Sequence, residues 1–156
     1  MFKILALDQA TVNTGWALIS DKGILDYGLL HVDSALPNEE RLRVMHSNIK
    51  RLITKSKPSF VVIEAVQCQK NFGTFGLLSL LQGTIIAELF NKKINWDIVP
   101  CSKWRKYCGV KGKSRAEFKA NARKFVYEKY NITASEDEAD AIGIATWAIG
   151  NITEDM

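Results

Sequence analysis

Apolar residues fall along this chain in two rhythms. Phe2 to Leu7, interrupted only by Lys3, and Phe60 to Ile63 are apolar runs, and each is closed by an acid, Asp8 and Glu64. Runs of four to six residues that end abruptly on a charge suit central strands buried on both faces. Thr14 to Ser20 and Ile24 to Val32 read as two further strands joined by the turn Asp21-Lys22-Gly23, which gives an antiparallel meander. A helical rhythm then takes over. Leu42, Met45, Ile49, Leu52 and Ile53 share one face of a helix capped by Asn38 and running to about Lys55. The stretch from about Phe75 to Asn91 is apolar almost all round, which predicts burial on more than one side. Ile94 to Val99 reads as a fifth strand ended by Pro100. A short helix from Ser102, a loop around Gly109 and Gly112, a basic helix from about Arg115 to Lys129 and a last helix from Ser135 to about Ile149 complete the chain. This order predicts an α/β sandwich around a mixed sheet, in one domain over 1–156.

Composition changes this picture little, and charge changes it more. The 156 residues are 47% hydrophobic and 24% charged, as expected of a globular protein. No run approaches the roughly 18 consecutive apolar residues of a membrane span, and the N-terminal apolar run is too brief for a signal core. No membrane is therefore expected, and the setting is read as cytoplasmic. Cys68, Cys101 and Cys108 form no CxxC pair and read as reduced, at least half-buried thiols. Residues 102–130 hold ten Lys or Arg against two Glu, a local +8 in a chain of net charge +4. Such a block is either a solvated helix face or a footprint for phosphates. Lys111, Lys113, Arg115 and Lys119 are its candidate DNA contacts.

The acids carry the chemistry. Asp8 and Glu64 would stand side by side if their strands were adjacent and parallel. A carboxylate at the end of a buried strand is poorly hydrated, and a cation relieves that. Ser135 and Glu138 form a capping box, Ser-x-x-Glu, at the start of the last helix. Asp137 and Asp140 lie three apart on one face, which continues through Ala141, Ile144, Trp147 and Ala148 and must turn towards the protein body. The helix dipole accounts for Glu136 and Glu138, but less easily for Asp140 on the inward stripe. Four acids without a His cluster favour Mg²⁺, with Mn²⁺ as a substitute, over zinc. Two such ions suit in-line displacement at phosphorus.

Three motifs together resemble the RuvC family of Holliday-junction resolvases: Leu5-Ala6-Leu7-Asp8 with Thr14-Gly15-Trp16-Ala17, then Val62-Ile63-Glu64-Ala65-Val66, then Asp137-Glu138-Ala139-Asp140-Ala141-Ile142-Gly143-Ile144-Ala145. The short length is similar to the phage-encoded members. The resemblance implies a ribonuclease H-like fold with a five-stranded mixed sheet. It also implies a homodimer and Mg²⁺-dependent symmetric nicking of four-way DNA junctions, with Asp8, Glu64, Asp137 and Asp140 as the metal-binding, catalytic acids. Two departures stand out. Asp8-Gln9-Ala10 replaces the Asp-Pro-Gly usual in bacterial members, and Gln67 stands where an aromatic wedge is expected. Phe72 or Phe75 could supply that ring from the same loop. A nuclease acting on forks as well as four-way junctions, or a junction binder without cleavage, are the alternative readings.

Other likenesses fail. Gly109 to Ser114 looks like a phosphate-binding P-loop, but Tyr107 occupies the position of the required glycine. Asp8 with Thr14-Gly15 also suggests the actin-like kinases, which need two such domains around a nucleotide. Trp104 reads as core or a loop anchor, and Trp16 and Trp147 read as core. The apolar helix from Phe75 to Asn91 is the expected dimer face. No branch-migration partner can be read.

Overall fold

A computed structural model describes residues 1–67 and 71–155. Cys68, and part of the polar stretch before the second helix, lie outside the described residues. Strands β1 (Ile4–Asp8), β2 (Asn13–Ser20), β3 (Gly23–His31), β4 (Phe60–Glu64) and β5 (Asn95–Val99) form one sheet in the order β3-β2-β1-β4-β5. The first three make the expected antiparallel meander, while β4 joins β1, and β5 joins β4, in parallel. Helices α1 (Asn38–Ser56) and α2 (Phe72–Lys92) cover one face. The other is covered by α5 (Glu136–Asn151), backed by α3 (Cys101–Cys108) and α4 (Arg115–Tyr130).

The period-two alternation of the central strands explains both cores and also aims the acids. Leu5, Leu7, Val61 and Ile63 pack with Met45, Ile49 and Ile53 of α1 and Leu81, Ile85 and Leu89 of α2. Ile4, Ala6, Phe60 and Val62 pack on the opposite face with α5. Each fully buried Leu or Ile here contributes about 1.5–3 kcal/mol relative to exposure. Continuing the alternation by two residues sends Asp8 and Glu64 out on the α5 face. Every residue of α5 from Ala139 to Ala148 is buried. The helix is enclosed because the sheet lies under it while α3 and α4 close over its back.

Local chemistry sets the helix ends. The Ser135 hydroxyl accepts from the Glu138 amide at 3.3 Å, and the Glu138 carboxylate accepts from the Ser135 amide at 2.9 Å, so the expected capping box is formed. Two other ends differ from expectation. Pro37 occupies the N-cap of α1, and Asn38 sits inside the first turn, its side-chain oxygen accepting from Arg41 at 2.6 Å. The second helix begins at Phe72 rather than Phe75, because the Asn71 side chain accepts from the Thr74 amide at 3.1 Å and caps it there.

Burial of α2 is also narrower than its composition predicts. Leu81, Ile85 and Leu89 are buried, but Leu80 is 61% and Phe90 65% exposed. Among the described residues α2 packs chiefly on α1 and β5, which leaves Leu80 and Phe90 on its far side exposed. By length and composition alone this helix could cross a membrane, although its inner face is taken up by the protein core. Trp104 and Trp147 are buried as expected, whereas Trp16 is half-buried.

Candidate active site

Four acids from three elements line one cleft of about 370 Å³: Asp8, Glu64, Asp137 and Asp140. The parallel register pairs Leu7 with Ile63, so Asp8 and Glu64 follow as neighbours at the strand ends. The α5 acids reach them because of Gly15, which pairs with Asp8 across β1 and β2. A Cβ on Gly15 would lie 2.1 Å from the Asp137 carbonyl oxygen. Only glycine lets the first turn of α5 rest directly on the sheet.

Burial raises the carboxyl of Asp8 well above the usual aspartate range, and repulsion from Glu64, Asp140 and Asp137 adds to it against a smaller opposing effect of Lys119. Burial also raises Glu64, with Asp140 reinforcing it and Trp104 and Arg105 acting against it. Asp140 is raised by burial despite the adjacent Lys119. Burial works against the Lys119 ammonium, but Asp140, with Asp8 and Asp137 behind it, outweighs this and holds its proton above the ordinary lysine value. The cleft thus collects more negative charge than Lys119 alone balances.

An all-carboxylate donor set suits hard divalent ions such as Mg²⁺ or Mn²⁺. The crowding of raised carboxyls is what such an ion relieves. Among the described residues, however, no three His, Cys, Asp or Glu side chains are gathered tightly enough to ligate one ion as they stand. The Lys119 ammonium rests on Asp140 instead.

Several supports were not evident from local sequence. The Trp104 indole N–H donates to Glu64 Oε2 at 2.7 Å. Gln82 of α2 donates to the Glu64 carbonyl at 3.1 Å. Thr14 fixes the loop after Asp8, its hydroxyl accepting from the Ala10 amide at 3.1 Å and donating to the Ala10 carbonyl at 2.8 Å. Gln9, standing where proline is usual in the bacterial members, donates to the Leu78 carbonyl at 3.3 Å and ties the same loop to α2. Arg105 is a further cation on the cleft, packed 4.3 Å over the Phe118 ring.

The candidate DNA contacts divide. Arg115 and Lys119 line the cleft itself, but Lys119 is buried within the acid cluster rather than placed on the outer basic face. Lys111 and Lys113 are exposed on the neighbouring loop, which Glu117 and Asn121 brace through the Lys113 amide at 2.9 Å and the Lys111 carbonyl at 2.6 Å. Phe72 is 77% exposed at the start of α2, while Phe75 is half-buried and lines the cleft. Gln67 turns its side-chain amide to the Cys101 sulfur.

Residues 4–148 match the family model described as "Crossover junction endodeoxyribonuclease RuvC". The chain belongs to the RuvC family. A RuvC of Alkaliphilus oremlandii is 29% identical over 97% of this chain and 96% of its own length. A RuvC of Fusobacterium nucleatum is 28% identical over 96% and 81%. Among solved structures, Thermus thermophilus RuvC in complex with a Holliday junction substrate superposes with a TM-score of 0.73 at 13% identity, covering 94% of this chain and 92% of that one. The yeast mitochondrial Holliday junction resolvase gives 0.65 at 11% identity, covering 94% and 77%. These likenesses support the RuvC fold, the ribonuclease H-like sandwich expected from the motifs.

Proposed function

We infer that this RuvC-family chain is a structure-selective DNA endonuclease that nicks four-way junctions symmetrically by hydrolysing phosphodiester bonds. The observation that carries this reading is the convergence of Asp8, Glu64, Asp137 and Asp140, from β1, β4 and α5, on one cleft that Arg105 and Arg115 also line, with Lys119 buried among the acids. Those four acids are the residues to hold divalent ions, Mg²⁺ with Mn²⁺ as a substitute. Bound there, an ion would polarise the phosphodiester and acidify a water.

The protein's own groups do the rest. Arg115 at the mouth, with Lys111 and Lys113 on the adjoining loop, attracts the DNA backbone without reading bases. Arg105 places a fixed positive charge beside the position where charge develops on the phosphate. Trp104, Gln82 and Gly15 hold the acids in place before substrate arrives. Phe72, exposed beside the cleft, is the candidate to stack on a base at the branch point.

Two equal cuts require two equal sites. We assign the exposed apolar side of α2, with Leu80 and Phe90, to a two-fold homodimer contact. Residues 1–156 form one nuclease domain in this reading, and it acts in the cytoplasm. A broader branched-DNA nuclease is the second reading, favoured by Gln67 in place of the expected aromatic residue.

Labelled four-way, three-way, forked and linear DNA, incubated with Mg²⁺, Mn²⁺ or EDTA, test both. Metal-dependent paired nicks confined to four-way junctions are expected. Equal cutting of forks selects the broader reading, and no cleavage with either metal removes the nuclease assignment. Sedimentation at working concentrations checks the dimer, and a monomer would exclude paired cutting.

A further inference from the structure

Glu64 is held at both ends by elements that lie far from it in sequence. Gln82 fixes its backbone carbonyl, and the Trp104 indole fixes one carboxylate oxygen. Trp104 is fully buried, so its N–H has no water to turn to. The ring is fixed as well. A Cβ on Gly143 would lie 2.4 Å from Cζ3 of the indole, so the ring lies flush against the backbone of α5. The same helix carries Asp140 and Asp137 about one and two turns earlier. Arg105, the next residue of α3, also lines the cleft.

We propose that Trp104 is a positioning residue of the cleavage reaction. Clamped against Gly143, it commits Glu64 Oε2 to its indole N–H and leaves Oε1 as the oxygen offered to the cleft. Glu64 has three side-chain torsions, and an unclamped carboxylate at the cleft edge would sample several rotamers. The indole selects one of them. Because the ring also rests on α5, it sets the spacing between the β4 acid and the two α5 acids. Hydrogen-bonding partners of this kind, behind residues that hold metal, typically change affinity or rate 10–100-fold when removed.

This inference rests on the nuclease reading, and its test separates the two. Trp104→Phe removes the N–H but also shrinks the ring, so a second protein carries 3-benzothienylalanine at position 104, where sulfur replaces the N–H in a ring of nearly the same shape. Three readouts are taken. The first needs no activity. In protein labelled with ¹⁵N-tryptophan, the indole signal that disappears in Trp104→Phe should shift in Glu64→Ala. The second is Mn²⁺ binding without DNA, expected to weaken about tenfold in the benzothienyl protein. The third is the split between junction affinity, unchanged within about twofold, and single-turnover cleavage, slowed about 10–100-fold.

Wild-type cleavage and metal binding in the benzothienyl protein would overturn the proposal and leave the nuclease reading intact. An indole signal unmoved by Glu64→Ala would also overturn it. Equal losses of junction affinity and rate would make Trp104 a packing residue, which likewise overturns it. A wild-type protein that cuts no branched DNA would defeat the nuclease reading, while the indole signal still tests the contact.

Discussion

Gly15→Ala is the smallest change that should separate the two halves of the acid site. The added methyl would sit 2.1 Å from the Asp137 carbonyl oxygen and 2.5 Å from its carbonyl carbon. A carbon approaches a carbonyl oxygen to about 3.3 Å at closest. The first turn of α5 must therefore withdraw by about 1 Å, because a backbone carbonyl cannot rotate away as a side chain can. Overpacking of this size costs about 1–3 kcal/mol. At about 2–4 °C per kcal/mol for a domain of this length, the melting temperature should fall by roughly 2–12 °C. A shift of about 1 Å in catalytic groups costs on the order of 100-fold in rate, and here Asp137 and Asp140 move together against Asp8 and Glu64. Melting by circular dichroism and single-turnover cleavage of a four-way junction well below the melting range give the two numbers. Gly28→Ala is the control. Its Cβ would meet the Trp16 ring at 2.9 Å on the outer strand β3, so stability should drop without loss of rate. The reasoning fails if Gly15→Ala cuts at the wild-type rate, or if Gly28→Ala loses as much rate as Gly15→Ala.

Asp8→Asn should abolish cutting, leave junction binding largely intact and stabilise the metal-free protein. The folded carboxyl of Asp8 is raised, so the native state holds more protons than the unfolded one above about pH 4. Stability from this group is full below that range and is lost as pH rises through the raised value. In EDTA, the mutant's advantage in melting temperature should grow from about pH 4.5 to about pH 7.5, and an advantage that shrinks would contradict the account. Burial pushes the Cys108 thiol up to about 12, so it should resist iodoacetamide at neutral pH until the protein unfolds. Peptide mass mapping that finds Cys108 alkylated in the native state would oppose this. Lys111→Ala and Lys113→Ala should each weaken junction binding and reduce the slope of log K against log salt by about 0.9 per lost phosphate contact. An unchanged slope would remove these lysines from the DNA path.

How much was legible depends on the range over which a residue acts. The apolar runs before Asp8 and Glu64 could be read because alternation along a strand decides which face a residue takes. The capping box at Ser135 could be read because both its partners lie within one turn. Trp104 reaching Glu64, Lys119 resting on Asp140, and Asp137 settling over Gly15 join residues 40, 21 and 122 positions apart, and periodicity carries no record of such pairs. Lys119 was grouped with the surface lysines for that reason. Its basic neighbours in sequence point outward, while its own position on α4 faces α5. The breadth of the apolar stripe on α2 was visible in the sequence, but what it covers was not, since one chain supplies a partner for only one side.

The enclosure of α5 also bears on how the protein is made. Ile4, Ala6, Ala17 and Ile19 face a helix that the ribosome produces more than a hundred residues later. Synthesis proceeds at about 5–20 residues per second, so the sheet spends seconds with that face bare before residues 136–151 can insert. The same insertion delivers Asp137 and Asp140. A chain still lacking α5 therefore cannot hold a complete set of acids, and the ability to cut DNA arises in the step that buries the last open side of the sheet. Competence to cut is thereby tied to the docking of α5 on the sheet, with no inhibitor needed.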